Sequence, residues 1–88
     1  MGNPTPEPPV ADLAPSLASL LVTYRQRAGL GMAGASRTLS LARQTLWRWE
    51  NGRRSPDHDE LRLLLDLYDA TADEREAAER ARRAGLAI

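Results

Sequence analysis

The chain has 88 residues, six of them proline and none cysteine, with a formal net charge of zero. One modest core fits in that length, and such a domain presents a surface more readily than it encloses a substrate. The missing thiols and the single histidine, His58, leave no disulfide framework, no thiolate nucleophile and no multi-histidine metal site, so neither catalysis nor a bound metal or cofactor is expected.

The neutral total conceals a division along the chain. From Ser16 to Pro56 seven arginines face one acid, Glu50, whereas from Asp57 onward nine acids face five arginines. A basic centre of this kind can still turn a positive face to phosphates. All twelve basic residues are arginine, which suits bidentate contacts, although a coding bias explains that equally well. No apolar run approaches the roughly 18 residues that a bilayer span requires, and the first residues lack the charged-then-apolar layout of a signal peptide. A cytoplasmic chain with no membrane partner is expected.

Residues 1–15 hold five of the six prolines and read as a flexible arm. Beyond it, Leu17, Leu20, Leu21 and Tyr24 recur at the spacing of one helix face, with Gly29 placed to end helix 1. Helix 2, between Gly31 and Leu39, is short and weakened by Gly34, which costs about 1 kcal/mol relative to alanine. Leu41, Leu46 and Trp49 supply the apolar contacts of helix 3, about residues 42–51, which Asn51-Gly52 closes. Asp57 caps helix 4, whose inner face is Leu61, Leu64, Leu65 and Tyr68. Thr71-Ala72-Asp73-Glu74 is a capping-box pattern opening helix 5, with an apolar side of Ala77, Ala78, Ala81 and Ala84 before Leu86 and Ile88. No segment alternates with period two over strand length, so the expected fold is an all-α bundle of about five helices. The division is an arm over 1–15, a central domain over 16–70 and a C-terminal helical extension over 71–88.

The segment Ala42-Arg-Gln-Thr-Leu-Trp-Arg-Trp-Glu-Asn-Gly52, followed by Arg53-Arg54-Ser55-Pro56, resembles the recognition-helix signature of the phage-repressor-like (Xre/Cro) helix-turn-helix family. Arg25-Gln26-Arg27-Ala28-Gly29-Leu30 is similar to the way helix 1 ends in that family. The resemblance covers about residues 16 to 70. It implies a DNA-binding transcriptional regulator, nucleoid-associated, with helix 3 in the major groove of double-stranded DNA and two copies as a homodimer on paired half-sites. Such a helix presents its first exposed turn to base edges, here Arg43 and Gln44, then Trp47 and Arg48 one turn on; arginine pairs with guanine and glutamine with adenine. The alternative for Arg43, Gln44 and Arg48 is a solvated polar face opposite Leu46 and Trp49. Asn51, Arg53 and Arg54 fall where family members contact phosphates, Arg37 joins them, and Thr45 suits either role. Glu50 matches the family's acid that pairs with the helix-1 arginine, implying a structural ion pair with Arg25. Trp47 and Trp49 cannot both face one core. Trp49 is assigned inward, leaving Trp47 to pack against helix 2 or on a sugar or thymine methyl.

Four positions depart from the family. Met32 stands where a polar residue usually touches a phosphate, Ala35 and Ser36 replace the usual leucine and alanine of helix 2, and Ala42 has no oxygen with which to cap helix 3. Ser36 and Ser40 are candidate substitutes for that cap. These changes keep open a second function class, a partner-binding adaptor or antitoxin-like module that uses Met32 and helix 5 to hold another protein. Helix 5 could equally complete the domain's own core or join two copies. The run Gly29-Leu-Gly-Met-Ala-Gly34 satisfies a dinucleotide-binding pattern but follows a helix and has no parallel sheet to host it.

Overall fold

The computed structural model describes residues 15–86, with side chains to residue 85; apart from Pro15, the expected arm lies outside the described residues, as do the side chains of Leu86 and Ile88. Five helices and no strand occur among the described residues: α1 (Leu17–Arg27), α2 (Met32–Thr38), α3 (Arg43–Glu50), α4 (His58–Leu67) and α5 (Ala72–Leu86). The all-α reading is therefore correct.

Each helix starts and stops for a local reason. Ser16 opens α1 by accepting a hydrogen bond from the Ser19 N–H at 3.1 Å. Asp57 and Glu60 form a reciprocal capping box on α4, each accepting from the other's backbone N–H at 2.7 and 2.8 Å, and Thr71 and Glu74 do the same on α5 at 3.1 and 2.9 Å. The first four helices all end in a left-handed residue, whose own backbone N–H and that of the next residue donate back to carbonyls of the last turn. Glycine supplies that residue after α1 (Gly29, φ 75°) and α3 (Gly52, φ 69°), while Ser40 (φ 55°) and Asp69 (φ 54°) do so after α2 and α4.

The core gathers Leu21 and Tyr24 from α1, Ala35 from α2, Leu46 and Trp49 from α3, Leu61, Leu64 and Leu65 from α4, with Tyr68, Ala70 and Ala78. Of the two tryptophans, Trp49 is inside at 2 % exposure and Trp47 outside at 47 %. Leu41 packs against the core from the turn ahead of α3 rather than from the helix itself. α2 forms despite Gly34 because its small Ala35 and Ser36 are buried and let it pack closely on α3. α5 lies on α1 and α4 and buries Ala78 completely, but Ala84 is exposed, so the expected alanine stripe turns away from the core before the helix ends.

Neither serine substitutes for the missing α3 cap. Ser36 donates back to the Met32 carbonyl at 2.8 Å within α2, Ser40 is occupied as the left-handed turn residue, and the α3 N-cap, Ala42, has no side-chain hydrogen bond. The helix is held instead by its packing, with Leu46 fully buried.

Candidate functional site

With Leu46 and Trp49 turned inward, helical periodicity leaves Arg43, Gln44, Trp47 and Arg48 on the outer side of α3, and all four are exposed. Thr45, between the two faces, is half-buried. Asn51 lies at the end of the same helix and donates from its side-chain amide to the Trp47 carbonyl at 2.8 Å, which leaves the amide oxygen as an outward acceptor. The turn beyond it is fixed by the Arg53 and Arg54 N–H groups, both donating to the Arg48 carbonyl, at 2.9 and 3.4 Å. The Arg53 and Arg54 side chains are thereby carried on a defined turn in solvent.

What fixes α3 relative to the rest is Arg25. Its guanidinium donates twice to Glu50, Nε to Oε2 at 2.7 Å and Nη2 to Oε1 at 3.0 Å, and its third nitrogen donates to the Leu30 carbonyl at 2.8 Å. One side chain therefore ties the last turn of α3 to α1 and braces the α1–α2 turn. The pair is largely desolvated, with 12 % of the Arg25 side chain and 4 % of Glu50 exposed. The hydrogen bond to Glu50 holds the guanidinium proton more firmly than usual, against the opposing effect of burial. Tyr68 is buried near this pair with no hydrogen-bond partner for its hydroxyl; desolvation first, and the Glu50 charge second, push it up to about 12.

Charge pairing separates four arginines from the rest; among the described residues eight exposed arginines are without an acid, and three of these, Arg62, Arg80 and Arg83, lie on α4 and α5 with the acidic surplus. Arg25, Arg27, Arg75 and Arg82 are each matched with an acid, Glu50, Glu74, Asp66 and Glu79 respectively. Arg37, Arg43, Arg48, Arg53 and Arg54 are exposed and have no acid within salt-bridge distance among the described residues. Those five account for the rest of the basic central segment. The acidic surplus sits on α4, α5 and the turns before them, away in sequence from α3.

The structure divides the sequence-derived residues between two hollows. Arg43, Gln44 and Trp47 share one with Met32. Arg53 and Arg54 line another, of about 820 Å³, together with Leu17 and Leu20 of α1, Trp49, and Ala81 of α5. Arg37 lines neither. Sequence reasoning missed Met32 as a neighbour of the α3 residues, having counted it as an absent polar contact and as part of a surface for a protein partner; the one signal for it was its place as the first residue of α2. No helix among the described residues is long and apolar enough to cross a membrane.

Residues 16–78 match the model of a family described as a helix-turn-helix domain. No curated protein and no solved structure matches the chain.

Proposed function

The chain belongs to the helix-turn-helix domain family, and from that premise we propose that it is a sequence-specific double-stranded DNA-binding regulator of the Xre/Cro type, with α3 lying in the major groove. The observation that carries this reading is that five of the eight exposed, acid-free arginines are gathered on α2, α3 and the turn after α3, in a segment whose one acid, Glu50, is already paired, with Gln44 among them. Unpaired arginines repel one another and gain from phosphate or guanine, whereas arginines that serve the fold are here already matched with acids. Arg43, Gln44, Arg48 and Trp47 read base edges, and Arg37, Thr45, Asn51, Arg53 and Arg54 set position on the backbone.

The role is binding without catalysis, in the cytoplasm on the nucleoid. One recognition helix covers too few base pairs for selectivity, so two copies act as a homodimer on half-sites about 34 Å apart. A second reading, capture of a protein partner with little DNA binding, is favoured by the hollow between α1 and α5.

The test is fluorescence anisotropy of a labelled random-duplex pool at two salt concentrations, with sequencing of the retained DNA. Salt-sensitive binding with an enriched sequence, lost in Arg43→Ala/Gln44→Ala, is the expected result. Absence of binding at low salt would sink the DNA reading and leave the partner reading.

A further inference from the structure

Trp47 is one of two large apolar side chains exposed on the described surface, and the other, Leu63, lies on α4. Trp47 borders a hollow, and its companions there are Met32, Arg43 and Gln44. The combination has two parts. Met32 and Trp47 form an apolar floor brought together by the packing of α2 on α3, since Met32 opens the one helix and Trp47 follows Gln44 by three residues on the other. Arg43 and Gln44 are exposed hydrogen-bonding groups on the first turn of α3, at the same hollow.

The major-groove edge of a base pair has a matching layout. Adenine offers N6–H and N7 to a glutamine amide, and its paired thymine carries a methyl group on C5 of the pyrimidine. Guanine offers O6 and N7 to an arginine, and C5 of the paired cytosine carries a methyl only when that base is methylated. In both cases the apolar group that a fork of hydrogen bonds to the purine leaves unread is a methyl at the pyrimidine 5-position, beside thymine O4 or the cytosine amino group. An indole face beside a flexible thioether is suited to take it, the thioether adjusting to the exact offset.

We propose that Met32 and Trp47 form a site for the 5-methyl group of a pyrimidine in the major groove, read together with the purine engaged by Gln44 or Arg43. This rests on the DNA-binding reading above and adds its ligand chemistry. It also gives Met32 a use: the position that lost a polar phosphate contact gains an apolar base contact. Thymine and 5-methylcytosine present the same group, and which is read depends on whether Gln44 or Arg43 takes the partner purine.

The experiment uses the full chain and the best duplex retained from the random pool. Each thymine is replaced in turn by deoxyuridine, which removes the methyl alone, and each cytosine by 5-methylcytosine, which adds one. At one position per half-site, uridine should weaken binding about fourfold, or methylcytosine strengthen it about fourfold, the factor expected for burying one methyl. Met32→Gln, which keeps length but removes apolarity, and Trp47→Ala should each bring that ratio close to one while the duplex is still bound. Wild-type binding that ignores every methyl change would overturn the site and leave the DNA reading intact; so would a methyl effect undiminished in both variants. Loss of all duplex binding by the wild-type chain would instead overturn the DNA reading itself, and this site with it.

Discussion

Arg25 and Glu50 stand 25 residues apart in sequence and meet through two hydrogen bonds of 2.7 and 3.0 Å, with the carboxylate side chain only 4 % exposed. The same guanidinium holds the Leu30 carbonyl, so the start of α2 and the end of α3 are located by one residue of α1. Glu50 is the neighbour of the core tryptophan Trp49 and lies two residues beyond Arg48 on the exposed face. The pair therefore links the interior to the orientation of the outer face.

Removing one partner leaves the other buried and unmatched, which costs about 3–5 kcal/mol. Arg25→Ala and Glu50→Ala should each lower the urea midpoint by that equivalent, and the double variant should lose well below the sum. Arg25→Lys should fall between, because an ammonium cannot fork onto both carboxylate oxygens and still reach Leu30. Losses below about 1 kcal/mol in both single variants would mean that the pair behaves as a solvent-screened surface contact.

Two backbone positions invite stabilisation. A Cβ on Gly34 would meet only the Leu30 Cδ2 at 3.9 Å, an ordinary contact, so Gly34→Ala should stabilise α2 by roughly 0.5–1 kcal/mol. Ser40 holds the left-handed conformation at φ 55° without the freedom of glycine, and Ser40→Gly should add about 1 kcal/mol. Gly52→Ala at φ 69° should act in the opposite direction by a similar amount, although nothing lies within 4 Å of its added Cβ. Chemical denaturation of the three variants separates backbone conformation from crowding, since none of these sites is tight.

What could be read before the structure follows from how local each cause is. The helices opened by Asp57 and Thr71 and closed by Gly29 and Gly52 were visible because caps and stops act within four residues. Ser40 and Asp69 were not, since neither residue type advertises a left-handed turn as glycine does. The inward Trp49 followed from spacing alone. The meeting of Met32 with Trp47 depends on how α2 crosses α3, set by the small Ala35 and Ser36 between them, and helical periodicity within one segment carries no such information. The hollow between α1 and α5 was hidden for the same reason, because its walls come from elements distant in the chain.

Alkaline stability should depend on Tyr68. Its hydroxyl is buried without a partner, and its proton is held up to about 12 against an ordinary value of 10.0. A group whose folded-state value is raised contributes stability that is full below the unfolded value and disappears as pH climbs through the folded one. The domain should therefore lose about 2–3 kcal/mol between about pH 10 and 12. Tyr68→Phe should remove most of that loss, leaving a smaller slope from Tyr24, which burial also raises. At neutral pH the same variant should be unchanged or more stable by about 1 kcal/mol, since it deletes an unsatisfied polar group. Thermal unfolding followed across pH 8 to about 12 reads both effects.

The proposed division between reading and positioning residues predicts different losses for Gln44 and Arg53, which are both exposed but line different hollows. Gln44→Ala should remove discrimination at one base pair, worth about 1–3 kcal/mol, so affinity falls for the preferred duplex and barely for a scrambled one. Arg53→Ala should weaken both duplexes by the same factor and reduce the slope of log affinity against log salt by about 1, one phosphate contact having gone. Titrating both variants on both duplexes at three salt concentrations decides it. Equal, sequence-blind losses with equal changes in slope would place Gln44 on the phosphate backbone and reduce base reading on α3 to Arg43, Trp47 and Arg48.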